Sequence, residues 1–290
     1  MRFHGTEVLN DFISLFGYKS TVQDGAFCCT RCQIPAGMVN RIRQKMSRTY
    51  RVFAPDDLPS EEGMFRLQGE ESRHLSRVLR VGVGHPVEVL DGRGSIFRTE
   101  VVDVDGRVVV LKNLESVQVE KPQAAFDLGV SLPKGGRMDD IVRQLTELGV
   151  SFISPLFSEH GEVANVEHRV DAKMGKWSRI ATEACKQSGN PWLPVIRKPR
   201  SFDQWLQELP DGGVRLIGCL GVNAVSVSSL PKSSETDIAF AIGPEGGFSE
   251  EEQKLAENAG FVPVRLGPYT MKVETAAICA LAVACEKFGV

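Results

Sequence analysis

From residue 124 to the C-terminus, short apolar runs alternate with amphipathic ones, and this rhythm restricts the fold more than any other feature of the chain. "FDLGVSL" (126–132), "SFISPLF" (151–157), "VRLIGCL" (214–220), "DIAFAIG" (237–243) and "FVPVRLG" (261–267) read as strands, with a shorter one at "LPVI" (193–196). "VRLIGCL" and "DIAFAIG" are apolar throughout rather than at every second position, which suits strands covered on both faces, as in parallel sheets joined by helices. The helices between them carry their own punctuation. "RMDDIVRQLTELG" turns Met138, Ile141, Leu145 and Leu148 to one side, and the helix reaching Gly189 has Pro191 beyond it as a stop signal. Ser201 caps "SFDQWLQEL", Ser249 and Glu252 form a capping box closed by Gly260, and the last helix starts near residue 273. The expectation is an α/β domain over 124–290 with a mainly parallel sheet.

Residues 46–120 have a different texture. "EGMFRLQG", "HPVEVLDG", "SIFRTEVVDVDG" and "RVVVLKNLESVQV" are β-rich runs parted by turns such as Asp91-Gly92 and Asp105-Gly106, the spacing of a small barrel or sandwich. One helix, "EESRHLSRVLRV", interrupts them, with Leu75, Val78 and Leu79 on one face. Arg73, Arg77 and Arg80 recur at i, i+4 and i+7 beside His74, either a solvated face or a stripe for phosphate. "VEKPQAAF" (119–126) reads as a linker.

Residues 1–45 read as an extension, with six basic side chains against three acidic ones and weak periodicity. An organelle transit peptide and a start at "MSRTYRVF" (46–53) both stay open; a secretory signal does not, because no apolar core follows the first basic residue. "CCTRC" (28–32) lacks the second Cys or His pair of a zinc site, and Cys185, Cys219, Cys279 and Cys285 sit singly in apolar segments, as reduced core thiols do. A net charge of −3 excludes a global basic field, so a polyanionic partner needs a local patch. The longest strongly apolar run, "AAICALAVAC" (276–285), falls short of the roughly 20 residues that cross a bilayer.

Ligands of open α/β sheets bind beyond the carboxyl ends of the strands. Three such ends run into glycine: "CLGVN" (219–223), "IGPEGG" (242–247) and "RLGPYTM" (265–271). Together they predict one pocket with backbone walls, suited to a flat polar group such as adenine; ordinary strand-end turns are the alternative. Phosphate-loop, dinucleotide and nucleophile-elbow motifs are missing, and the five histidines show no metal-ligand spacing.

The motifs "LPKGGRMDDIVRQLTELGV", "ISPLFSE", "RIATEACKQSGNPWLPVI", "IGPEGGFSEEE" and "LGPYTMKVETA" follow one another as in the ribosomal small-subunit RNA (uracil-N3) methyltransferases of the SPOUT superfamily, which the chain resembles from Arg48 to Val290. The resemblance implies a trefoil-knotted parallel-sheet domain (124–290) preceded by a PUA-like RNA-binding barrel (46–120), a homodimer, and a cytoplasmic protein acting on small-subunit ribosomal RNA or the assembled subunit. It implies an S-adenosyl-L-methionine pocket made of Leu220, Gly221, Ile242, Gly243, Glu245, Gly246, Leu266, Gly267 and Met271, with no metal. Arg48, Arg51, Arg73, Arg77, Arg80 and Lys134 become the expected RNA contacts.

A sulfonium methyl is already activated, so the protein's tasks are to align uracil N3 with it and to help N3 lose its proton. Glu245 and Glu274 are the candidate bases, and Lys272 and Arg137 the candidate stabilisers of the developing oxyanion. The chain departs from the family pattern at Asn190 and Tyr269, where arginine is usual, at Lys272, which replaces arginine, and in "SEHGE" (158–162), which replaces a more basic stretch. Those departures leave the pocket intact and predict rearranged RNA contacts, with lost or redirected transfer as the alternative function.

Overall fold

The computed structural model describes residues 21–23, 26–28, 50–54, 59–60, 63–161, 170–221, 223–231 and 237–289. Strands β1 (Thr21–Gln23) and β2 (Ala26–Cys28) pair antiparallel within a unit of their own, Met1–Thr49. The rest of the N-terminal extension, with Cys29, Cys32 and Arg48, lies outside the described residues.

Tyr50–Val290 forms the second unit. It begins with a five-stranded sheet in the order β3 (Tyr50–Phe53), β5 (Pro86–Leu90), β6 (Ser95–Val104), β7 (Val109–Gln118), β4 (Met64–Leu67). The pair β3–β5 is parallel and the others antiparallel. Register shifts at Arg98/Thr99 and Val101/Asp103 mark irregularities in β6, and such bulges bend a sheet. The curled sheet closes on Val52, Phe65, Leu67, Val89, Val101 and Leu111, plugged by Leu75 from the inserted helix.

That helix differs from its expected form. Helix α1 (Gly69–Arg73) passes into a π-helical turn, His74–Val78, where the Leu79 amide reaches back to the His74 carbonyl at 3.0 Å. The wider turn keeps Leu75 inside but swings Val78 outward, 67% exposed, against the expectation of a buried face. Arg80 leaves the helix with φ of 52°, so the anticipated stripe ends at Arg77.

The second sheet is parallel throughout, in the order β10 (Val195–Ile196), β9 (Phe152–Phe157), β8 (Ala125–Ser131), β14 (Asp237–Ile242), β12 (Val214–Gly218), β15 (Val262–Arg265), β13 (Val225–Ser226), with β11 (Arg200–Ser201) also on β9. Helices α2 (Met138–Glu147), α3 (Val170–Ser188) and α6 (Val273–Phe288) share a core on one face that includes Met138, Trp177 and Leu281. On the other face α4 (Phe202–Glu208) and α5 (Glu250–Asn258) bury Trp205, Phe202, Phe248 and Ala256. This double cover explains why β8 and β14 are buried along nearly their whole length; each fully buried large apolar side chain contributes about 1.5–3 kcal/mol by removal from water. Leu148 is the exception to the expected α2 face: the helix ends at Glu147, and Leu148 is 38% exposed.

The two sheets meet along a polar and aromatic seam. Arg51 on β3 pairs with Glu88 at 2.8 Å and donates to the carbonyls of Lys186 (3.2 Å) and Gln187 (3.3 Å) at the end of α3. Lys186 in turn pairs with Glu71 of α1 at 2.8 Å. The β5–β6 turn lies on Pro191–Leu193: the Gly94 amide donates to the Pro191 carbonyl, and the Leu193 amide to that of Gly92, both at 3.0 Å. A Cβ on Gly94 would stand 2.3 Å from the Trp192 ring, so this approach requires glycine.

Candidate functional site

Strands β14, β12 and β15 are neighbours and run in one direction, so the loops after them leave the sheet side by side. Each loop is held locally. After β14, the Gly247 amide closes a turn onto the Pro244 carbonyl at 2.9 Å, with Gly247 at φ of 76°. Phe248 anchors the far end in the core against Phe202, and the Ser249/Glu252 capping box opens α5 directly behind it. After β12, the Cys219 amide donates to the Val264 carbonyl at 2.9 Å, and the Gly221 amide to the Cys219 Sγ at 3.1 Å. After β15, Gly267 lies against Met271, where a Cβ would come within 2.5 Å of the thioether methyl.

Between the loops is a cavity of about 340 Å³. Of the residues named for the cofactor pocket, Leu220, Ile242, Gly243, Glu245, Gly246, Leu266, Gly267 and Met271 line this cavity. Gly221 does not; it closes the Cys219 turn instead. Cys219, Tyr269 and Thr270, within the loops read as pocket walls, also line the cavity, as do Phe248, Gln253 and Glu257, which were not anticipated. Gln253 and Glu257 stand four apart on α5, and that spacing was visible in the sequence; the face of α5 that meets the cavity was not. At Gly243 a Cβ would lie 3.1–3.2 Å from the Phe248 ring and backbone amide, a tight contact, so a side chain there must displace Phe248 by a few tenths of an ångström.

The expected catalytic groups are partly gathered. Arg137, the residue before α2, donates to Glu245 at 3.1 Å and stands 3.9 Å from Glu274 in the first turn of α6. Glu245 lines the cavity; Glu274 does not, and its Oε2 is buried with no hydrogen-bond partner among the described residues. Arg137 and Glu245 are each about 40% exposed, so their pairing contributes little to stability and serves to fix position. Lys272 is the exposed N-cap residue of α6, next to Met271.

A fourth segment reaches this site. The Glu159 amide donates to Glu252 Oε1 at 3.0 Å, and His160 Nδ1 lies 3.0 Å from the Gly247 carbonyl, a contact that requires the proton on Nδ1. The Gly246 backbone packs on the His160 side chain. Glu159 and His160 of the "SEHGE" stretch thus staple the segment after β9 to the β14 loop and the start of α5.

The basic residues divide. Arg73, His74, Arg77, Arg80 and Lys134 are exposed. Arg51, expected to meet RNA, is engaged in the seam between the sheets, because Glu88 and the open carbonyls at the α3 C-terminus attract it. Asn190 also has structural work: its amide nitrogen donates to the Thr146 carbonyl at 3.0 Å, and its oxygen accepts from the Trp192 amide at 2.9 Å. Burial pushes the Cys185 thiol up to about 12 and that of Cys285 to about 11, so both stay protonated and inert.

Known proteins share this fold. The family described as RNA methyltransferase domain matches residues 119–285, and the RNA methyltransferase PUA domain matches residues 67–112. A Synechocystis protein named ribosomal RNA small subunit methyltransferase E is 32% identical over 234 residues, covering 80% of this chain and 75% of its own. The Bacillus subtilis protein of the same name is 31% identical, covering 76% and 89%. Among solved structures, a Legionella pneumophila methyltransferase in complex with the bound cofactor SAM superposes with a TM-score of 0.76 at 31% identity, covering 84% of this chain and 99% of its own. A ribosomal RNA small subunit methyltransferase E from Neisseria gonorrhoeae, bound to S-adenosyl methionine, gives 0.76 at 28% identity, covering 83% and 98%. The methyltransferase-domain match alone spans more than half of the 290 residues, and the chain belongs to the RNA methyltransferase family.

Proposed function

We propose that this protein transfers the methyl group of S-adenosylmethionine to N3 of a uridine in small-subunit ribosomal RNA. The observation that carries the reading is the cavity at the ends of β12, β14 and β15, walled by backbone where the sequence placed its glycines, in a chain whose relatives bear that name. The cavity fits the cofactor. Its glycine walls leave amides and carbonyls open to an adenine edge, and Ile242, Leu266 and Phe248 offer apolar surface to the ring. S-adenosylmethionine supplies an activated methyl on a sulfonium, so the residues around it need only orient and deprotonate the acceptor.

Glu245 lines the cavity and is the base in this reading, taking the N3 proton as N3 attacks the methyl carbon and the C–S bond breaks. Arg137 holds Glu245 in place and stands to donate to the uracil oxygen on which charge develops. Glu274 is a positioning residue that faces Arg137 from α6, and Lys272, next in the chain to the cavity-lining Met271, adds a second cation. The PUA-like sheet, with Arg73, Arg77 and Arg80 exposed, is assigned to RNA binding over residues 46–120, and residues 124–290 to the reaction. A trefoil knot and a homodimer belong to the same proposal, the second supported by the exposed Ala282 and Val283 on α6. No described helix is long and apolar enough to cross a membrane. Acting on the small subunit would place the protein where that subunit is assembled, which this proposal takes to be the cytoplasm.

Labelled methyl transfer to small subunits lacking the modification, followed by nucleoside mass spectrometry, tests the reading; N3-methyluridine is the expected product. Glu245→Gln is expected to lower kcat about 10²–10⁴-fold with cofactor affinity retained. Cofactor binding without transfer to any RNA would leave an RNA-binding protein instead of an enzyme.

A further inference from the structure

Next to the cavity lies a second, wider groove of about 820 Å³ that uses the same partition of Leu220, Leu266, Gly267, Tyr269 and Thr270. Two side chains on that partition are exposed against their chemistry. Tyr269 is 80% exposed and Leu220 is 52% exposed, although each borders both spaces. The far side of the groove carries Arg265 at the end of β15 and Ser226 on β13, both exposed. An aromatic ring, an aliphatic neighbour, a cation and hydroxyls on one open groove match an unpaired nucleotide: an apolar face to stack, polar edges and one phosphate. A base pair hides both faces of its bases in the stack, so a duplex has no matching surface. The groove also opens where an acceptor has to arrive, since a base can reach the methyl group only through a space that adjoins the cavity.

We propose that Tyr269 and Leu220 form a platform on which an unpaired base of the RNA substrate stacks, with Arg265 taking a phosphate of the same strand. This rests on the proposed function for the identity of the nucleic acid, and on the groove alone for its location. Tyr269 stands where the resembled family usually has arginine, so at this position a planar ring replaces a planar cation.

The test uses the full chain with S-adenosylhomocysteine and a single-stranded oligouridylate containing 5-iodouridine. Photo-crosslinking is expected to attach the oligonucleotide to the peptide bearing Tyr269. Tyr269→Leu, which keeps apolar bulk without a ring, is expected to weaken oligouridylate binding about tenfold, while Tyr269→Phe retains it. Arg265→Gln is expected to lower the slope of log affinity against log salt by about 0.7, the value of one single-strand phosphate. Crosslinks confined to other peptides, equal affinity of Tyr269→Leu and wild type, or loss in Tyr269→Phe as large as in Tyr269→Leu would each overturn the platform. Equal affinity for a duplex of the same length would do so as well. If oligouridylate binding depends on Tyr269 but no RNA is methylated, the platform stands and the enzymatic reading falls. If small subunits are methylated and Tyr269 proves silent, the reverse holds.

Discussion

The cavity in the large sheet and the basic face of the small sheet are built by opposite means. The cavity is a property of backbone: three strand ends, fixed by the sheet, bring main chain within reach of a ligand, and a side chain at Gly243 would press on Phe248. The basic face is a property of side chains, and side chains go where their strongest partners are. Arg73 and Arg77 on the helical insert stay exposed, while Arg51 is bound at three points in the seam. A site of the first kind is sensitive to any added atom. A site of the second kind is redundant and screened by salt.

The largest expected effect follows directly. Gly243→Val adds a branched side chain at 3.1–3.2 Å from the Phe248 ring and amide, which presses on the residue that anchors the far end of the β14 loop. Cofactor affinity is expected to fall by more than about a hundredfold, with the circular dichroism spectrum unchanged, because the loop and not the sheet absorbs the insult. Calorimetric titration with S-adenosylhomocysteine measures it. Wild-type affinity in this variant would show that the cavity wall is plastic and would erase the contrast with the basic face.

Arg51 sharpens the contrast from the other side. Its removal leaves the Lys186 and Gln187 carbonyls and the Glu88 carboxylate without their donor. Arg51→Ala is expected to cost about 2 kcal/mol of stability, visible as a lower denaturation midpoint, without changing the salt dependence of RNA binding. Arg73→Gln with Arg77→Gln is expected to do the reverse: stability within about 0.5 kcal/mol of wild type, and a salt slope smaller by about 1.4–1.8. A changed slope in Arg51→Ala would return that residue to the RNA-contacting set.

These outcomes track what was legible in the sequence. The Ser249/Glu252 capping box and the glycines at three strand ends were readable because their signals are local: a cap acts over three residues, and a glycine-rich strand end is contiguous. The ten strand-like runs noted in the two sheets were readable for the same reason, because their pattern is set by which faces are covered. Arg51 was not readable, because its acceptors lie 135 and 136 residues away in sequence. Val78 was misplaced because the π-helical turn shifts the angular phase that a regular helix would keep. Asn190 looked like a lost RNA contact, yet its partners are backbone groups of α2 and of the Pro191–Leu193 segment, a role that depends on tertiary approach.

Two cysteines report on the two regions at once. Cys219 is part-exposed and lines the cavity, so thiol alkylation there is expected to be slowed by cofactor. Cys185 is buried against Phe53 and Leu90, where the small sheet meets α3, and burial holds its thiol up to about 12. The thiolate is the reactive form, so at pH 8 only about one molecule in 10⁴ carries it, and Cys185 is expected to stay unlabelled while the seam is closed. Arg51→Ala loosens the seam and is expected to raise Cys185 labelling modestly while leaving Cys219 and its protection by cofactor as they were. Peptide mass spectrometry after a timed pulse of iodoacetamide distinguishes the two sites. If Cys185 in the wild-type protein reacts as fast as Cys219, the small sheet parts readily from the large one, and the cavity must act without the seam's support.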